Sequence, residues 1–301
     1  KGSEVRILQG VTKNLILNMI IWIASYPKSG NTWLRTLLSA YLYSKDGIFN
    51  FDLLNNIDVF PKKKYFEYFI DDFNDIGKIS KYWLATQDRI NLFKKKITFF
   101  KTHNALCSIK GNSFTNKENT KAVIYVVRDP RNVITSISHH YELDVNESYD
   151  FMNNMNKLLV RGNSKEDKSS VSTVLGSWSE HYKSWKSIKF APILVIKYED
   201  LIINPKKTFL SVLQFLKNLM EVSITDTKIR NTINSCSFDI LSQKEKKEGF
   251  IEAVTSKKNN KKINFFNLGK KNEWKNLLDP KIERNIRKNF NSVMNELGYI
   301  E

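Results

Sequence analysis

The run Ile20-Ile21-Trp22-Ile23-Ala24-Ser25 is apolar and rich in β-branched residues, and it breaks at Tyr26-Pro27-Lys28-Ser29-Gly30. After Asn31 an apolar stripe resumes at helical spacing. A buried strand that feeds a helix through a Lys-Ser-Gly turn leaves few folds open. It also creates a chemical opportunity, because the first amides of a helix have no partner inside the helix and the helix dipole favours negative charge there. Gly30 allows close backbone approach, Thr32 adds a hydroxyl and Lys28 a full positive charge, so the turn reads as a phosphate cradle.

Three further runs share the character of the first: ITFFK (97–101), AVIYVV (122–127) and ILVIKY (193–198), with helical patterns between them. Strands that alternate with helices predict an α/β fold with a mostly parallel central sheet flanked by helices. Asp129 reads as an N-cap and Pro130 as the first residue of a helix. Further helices are expected over 172–187, 205–219 and 279–297, the last again opening Asp-Pro. The polar stretches 111–120 and 256–264 read as loops. With no repeat and no Pro/Gly linker, one domain over 19–301 is expected. Residues 1–18 are set aside as a non-native or disordered leader, since Met19 sits where a strand could open a native chain.

The 48 basic residues exceed the 31 acidic ones, a net charge of +17 that favours anionic ligands, nucleic acid or an acidic surface. The chain is also crowded with Lys, Asn, Ile and Phe, the usage of a low-GC genome, so charge alone decides little. Cys107 and Cys236 cannot build a multi-bridge framework and show no CxxC spacing, which fits a reducing, cytoplasmic setting. The apolar stretch 15–24 is interrupted by Asn18 and is far shorter than the roughly 20 residues a membrane helix needs. No membrane span or signal peptide is expected.

The turn is not a Walker A loop, which needs GxxxxGK[ST] with lysine after the glycine. The string YPKSGNTW (26–33) instead resembles the 5′-phosphosulfate loop of the cytosolic-type sulfotransferases, commonly YPKSGTTW, at seven of eight positions. The resemblance implies a strand–loop–helix of the P-loop NTPase-like type and a donor, 3′-phosphoadenosine 5′-phosphosulfate (PAPS), with 3′-phosphoadenosine 5′-phosphate (PAP) as product and no metal. It implies that Lys28, Ser29, Gly30, Asn31 and Thr32 surround the 5′-phosphate and that Trp33 stacks on the adenine. Asn31 replaces the family threonine and can still offer an amide donor.

Other segments agree with this reading. VIYVVRDPRNVITSISHHY resembles the family's 3′-phosphate motif, with Arg128 at a strand end and Ser136 eight residues on; a guanidinium fork and a hydroxyl suit a phosphate dianion. FFKTH (99–103) matches the family's strand-end Lys-Thr-His. His103 is accordingly expected as general base toward the acceptor, with Lys101 as a second cation at the transferring group and Lys28 stabilising the leaving phosphate. His139, His140 and His181 lack metal-ligand spacing and read as structural. GSWSEHYKSW (176–185) resembles a family helix, IKYEDL (196–201) would bring Tyr198 to the adenine, and SCSFDIL (235–241) would bring Phe238 there opposite Trp33. The family's RKGxxGDW becomes NLGKKNEW (267–274). Asn267 and Leu268 replace two basic residues, Gly269 and Trp274 remain, and Lys270 or Lys271 would compensate.

The expected function is in-line sulfuryl transfer to a hydroxyl or amine. A nucleotide kinase of related fold and a non-catalytic polyanion binder are the alternatives. The first lacks GK[ST], and the second leaves Lys28, Lys101 and His103 unexplained. Residues 44–96 and 142–170 are expected to form the side facing a small-molecule or glycan acceptor, with aromatic clusters such as YFEYF (65–69) serving packing. No nucleic-acid partner is expected, and the sequence sets neither the acceptor nor the oligomeric state.

Overall fold

The computed structural model describes residues 19–159, 171–256 and 259–300; the expected leader 1–18 and part of the expected acceptor side, 160–170, lie outside the described residues. Five strands make the central sheet: β1 (Ile20–Ala24), β2 (Asp58–Val59), β3 (Thr98–Thr102), β4 (Thr120–Val127) and β5 (Ile193–Lys197). Their order is β2-β3-β1-β4-β5, and every neighbouring pair is parallel. Parallel neighbours need crossovers, and the helices that supply them cover both faces.

The helices that matter here are α1 (Asn31–Tyr43), α2 (Trp83–Lys94), α3 (Pro130–Tyr141), α4 (Val145–Asn153), α5 (Trp178–Lys186), α6 (Tyr198–Ile203), α7 (Pro205–Lys217), α8 (Asp226–Ser235), α9 (Phe238–Glu248) and α10 (Pro280–Glu296). The side-chain alternation of β1 divides the core in two. Ile20, Trp22 and Ala24 join one cluster with Trp83 of α2, Ile137 of α3, Trp185 of α5 and Phe290 of α10. Ile21 and Ile23 join another with Leu34 and Leu38 of α1, Leu213 of α7, Ile229 of α8 and Leu241 of α9. All five residues of β1 are fully buried, which is why the run carries no polar residue before Ser25.

The expected strands are all present within one or two residues at their ends. Asp129 caps α3 by accepting from Arg131 N at 2.9 Å, and Asp279 caps α10 by accepting from Lys281 N at 2.7 Å, each followed by the proline at the first helical position. The helix expected over 172–187 is shorter than the sequence suggests. Thr173–Val174 pair antiparallel with Leu158–Leu159, Gly176 takes φ +68°, and Ser177 caps α5 by accepting from Glu180 N. The two expected loops carry short ladders as well: Asn112–Ser113 pair with Ser108–Ile109, and Lys262–Ile263 pair with Val254–Thr255. YFEYF serves packing in part: Phe66 is fully buried and Tyr65 is set edge-on against Phe100, while Tyr68 is 73% exposed. Among the described residues no helix is long and apolar enough to cross a membrane.

Candidate active site

Four neighbouring strands end on the same edge of the sheet and deliver most of the expected residues there. The turn 26–30 follows β1, His103 follows β3, Arg128 follows β4 and Tyr198 follows β5. Ligands of open parallel sheets bind outside the carboxyl ends of the strands.

The turn is strained in a useful way. Lys28 has φ +65° and Gly30 φ +98°, so successive residues curl and leave the first amides of α1 facing outward. Gly30 is required twice, because a Cβ there would also lie 2.4 Å from Cδ2 of Tyr198. Ser29 is buried, and its hydroxyl has no partner among the described residues. Lys28 sets its ammonium 4.0 Å from the centre of the Phe265 ring. Asn31 differs from expectation in one respect: its amide group donates to Ile23 O at 2.8 Å and to Ser25 Oγ at 3.1 Å. With both hydrogens directed into the strand end, its backbone N–H is what it offers at the loop mouth.

Lys101 is opposite Ile23 in the sheet register and is 5% exposed. Its ammonium donates to Thr32 Oγ1 at 3.0 Å and to Glu252 Oε2 at 2.7 Å, so Lys101, expected at the transferring group, and Thr32, expected at the 5′-phosphate, are joined to each other and to a carboxylate. Glu252 also accepts from Thr32 Oγ1 at 2.7 Å and from Arg35 Nη1 at 2.8 Å. Lys101 and Arg35 hold its carboxyl well below the usual carboxylate range in spite of its burial.

His103 puts Nδ1 2.8 Å from Ser25 O. A carbonyl oxygen only accepts, so Nδ1 carries a proton, and in the neutral imidazole Nε2 then keeps the lone pair. His181 supports the same backbone: its Nε2 donates to His103 O at 3.0 Å while its Nδ1 accepts from Tyr125 OH at 2.8 Å. Complete burial pulls His181 down to about 4, which keeps it neutral and structural.

On the other side of the turn, Arg128 Nη1 donates to Lys28 O and to Ser136 Oγ, each at 3.1 Å, and its guanidinium lies 4.3 Å over the Tyr198 ring. Arg128 Nε is buried with no partner among the described residues. Two buried donors without acceptors, Ser29 Oγ and Arg128 Nε, suit a ligand with two anionic groups. Ser136 Oγ accepts a second hydrogen bond, from Asn272 Nδ2 at 2.9 Å. Its own hydroxyl proton is thereby left to be donated.

The aromatic positions are partly assembled. Trp33 donates from Nε1 to Cys236 O at 2.8 Å and meets Tyr198 edge-on at 5.7 Å. Phe238, at the start of α9, packs on Phe266 and covers Gly269, where a Cβ would meet its ring at 2.7 Å. In the divergent segment, Asn267 and Leu268 are exposed and Trp274 packs under the Arg131 guanidinium at 4.0 Å. The side chain of Lys270 lies outside the described residues. The buried contact of this segment with Ser136 is made by Asn272.

Three residues of the site escaped the sequence reading: Arg35, Glu252 and Asn272. Arg35 had a signal, being the one charged residue of α1 and set between apolar positions, which requires a buried acceptor. Glu252 had another, since it is the only acidic residue between Gly249 and Asn272 in a lysine-rich region. Among the described residues no cluster of metal-ligating groups occurs.

The family model described as "Sulfotransferase domain" matches residues 19–298. Sulfotransferase 1B1 of Mus musculus is 26% identical over 260 residues, covering 85% of this chain and 76% of that protein. Cytosolic sulfotransferase 13 of Arabidopsis thaliana is 25% identical over 276 residues, covering 89% and 74%. The crystal structure of mouse sulfotransferase SULT7A1 complexed with PAP superposes with a TM-score of 0.52 at 18% identity, covering 92% of this chain and 85% of that one, which shows a shared fold. The match over nearly the whole described chain leaves the kinase and polyanion-binder alternatives without support, and the chain belongs to the sulfotransferase domain family, whose members take their sulfuryl group from PAPS.

Proposed function

We propose that the chain transfers the sulfuryl group of PAPS to a hydroxyl or amine of a small molecule, with His103 as general base. The observation that carries this reading is the tautomer of His103. Ser25 O fixes the proton on Nδ1, so Nε2 receives the acceptor's proton as the new bond to sulfur forms. The bond that breaks joins sulfur to the 5′-phosphate oxygen, and PAP leaves with that electron pair.

The chain's residues divide this work by charge. Lys28, the Ser29 hydroxyl and the amides opening α1 hold the 5′-phosphate and stabilise the charge that grows on its leaving oxygen. Lys101 steadies the sulfonate together with Thr32, which the family resemblance puts at the 5′-phosphate but whose hydroxyl here accepts from Lys101 Nζ at 3.0 Å. Arg128 and Ser136 take the 3′-phosphate, with Gly269, and Lys270 at the divergent segment. Trp33, Tyr198 and Phe238 hold the adenine between ring faces. The donor supplies an already activated sulfuryl group, so positioning and charge stabilisation are what the protein contributes.

A small-molecule acceptor agrees with relatives named for a 3-alpha-hydroxysteroid, luciferin and a flavonol. A cytoplasmic location agrees with the Arabidopsis relative's name. Calorimetric titration with PAP, AMP and ATP in moderate salt tests the donor site. Micromolar or tighter PAP, with AMP far weaker, supports it; preference for ATP, or binding of none, overturns it.

A further inference from the structure

Glu252 is an acidic residue of the site to which the proposed transfer gives no role. Its carboxylate stands where Lys101 and Thr32 would steady an incoming sulfonate, and it holds both. Oε2 accepts from Lys101 Nζ and Thr32 Oγ1, each at 2.7 Å, and Oε1 accepts from Arg35 Nη1 at 2.8 Å. The two oxygens are anchored differently. Arg35 is 6% exposed and is itself fixed by donating to Ile57 O at 2.6 Å and Leu54 O at 2.8 Å, so the Oε1 contact has a rigid base. Oε2 has as partners the side chains that the donor also needs.

A second anion arriving at Lys101 would lie within a few ångströms of this carboxylate, and like charges at that distance in a poorly solvated site are strongly unfavourable. The surrounding segment allows an exchange. α9 ends at Gly249, Phe250 is buried against Phe51, Phe265 and Phe266, and Ile251 beside Glu252 is 88% exposed. Glu252 thus sits between an aromatic anchor at Phe250 and an exposed neighbour at Ile251.

We propose that Glu252 is a built-in anion of the transfer site: without donor it holds Lys101 and Thr32, and when the sulfonate arrives it yields them while keeping Arg35. This inference rests on the assignment of Lys101 and Thr32 to the sulfonate. It makes Glu252 a residue that discriminates donor from product, because PAPS brings a sulfonate to Lys101 and PAP does not. The enzyme then holds PAPS less tightly relative to PAP than its cations alone would.

The test compares PAPS and PAP dissociation constants in the wild type and in Glu252→Gln, which keeps the shape and removes the charge. PAPS should tighten by about tenfold, the weight of one charge-assisted hydrogen bond, while PAP tightens by no more than about threefold. An equal change for both ligands, or weaker PAPS, overturns the inference. Failure of the wild type to bind either ligand would instead overturn the donor assignment itself. Should Glu252→Gln not fold, hydrogen exchange on the wild type decides. Amides over 250–256 should exchange faster with PAPS bound than with PAP, and equal exchange refutes the release of Lys101.

Discussion

His103 and Ser25 meet across the ends of β3 and β1, where Nδ1 of the imidazole donates to the Ser25 carbonyl oxygen over 2.8 Å. The same carbonyl belongs to the residue before the 26–30 turn, so the proposed proton acceptor and the proposed phosphate cradle share one piece of backbone. His181, donating to His103 O at 3.0 Å, fixes that backbone from the other side. The hydrogen on Nδ1 thus follows from the fold.

His103→Gln removes the proton acceptor and keeps a polar side chain of similar reach. Turnover should fall by about a hundredfold or more, with the dissociation constant for PAP within about threefold of wild type. The measurements are PAP release from PAPS over a panel of phenols, alcohols and amines, and calorimetry with PAP. A comparable loss of PAP affinity would make His103 a donor-binding residue and leave the base unassigned.

Asn272 is the residue of the divergent 267–274 segment that reaches Ser136. It ties the 267–274 segment to α3, accepting from Thr135 Oγ1 at 2.6 Å and donating to Asn132 O and Ser136 Oγ. Asn272→Ala removes one of the two donors to Ser136 Oγ and frees the hydroxyl to rotate toward water, a change of about 1 kcal/mol at the proposed 3′-phosphate site. PAP should weaken about fivefold while AMP, which lacks the 3′-phosphate, changes little. Equal weakening of both nucleotides would place the effect elsewhere.

Gly30→Ala meets two obstacles at one position, φ +98° and a Tyr198 ring carbon 2.4 Å from the new methyl. The left-handed backbone alone costs a non-glycine residue about 1 kcal/mol, and the clash adds to it, so a loss of about 2 kcal/mol or more in unfolding free energy is expected. Chemical denaturation reads this directly. An unchanged midpoint and slope would mean that Tyr198 moves aside at no cost.

Much of this site was legible because it lies at strand ends, where local sequence and geometry coincide. The β1 run, the Lys-Ser-Gly turn and the Asp129-Pro130 helix start are each decided within a few residues, and each appears as expected. The helix expected from residue 172 failed for a local reason with a distant cause: Thr173–Val174 are drawn into a ladder by Leu158–Leu159, and Gly176 and Ser177 then reset the start to 178. Asn31, expected to offer its side-chain amide at the 5′-phosphate, opens α1 and turns that amide to Ile23 O and Ser25 Oγ, acceptors that exist for it only when α1 folds back on β1. Glu252 is 217 residues from Arg35 and 151 from Lys101, and no local pattern pairs them. Charge isolated in an apolar or oppositely charged neighbourhood is the trace that such pairing leaves in a sequence.

The pH dependence of stability follows from His181. Burial lowers its folded-state pKa from the ordinary 6.5 to about 4, so between those values the unfolded chain binds the proton more readily than the folded one. Stability is full above pH 6.5 and falls as the pH drops toward 4, by up to about 3 kcal/mol once both forms are protonated. Glu252 acts in the same direction, but its carboxyl is held below the usual range, so its share is lost only below the ordinary carboxylate pKa. The limb from pH 6.5 to about 4.5 therefore belongs to His181 among these two groups. His181→Gln should flatten that limb in urea denaturation while leaving the steeper fall at lower pH in place. An unaltered limb in the variant would assign the titration to another group.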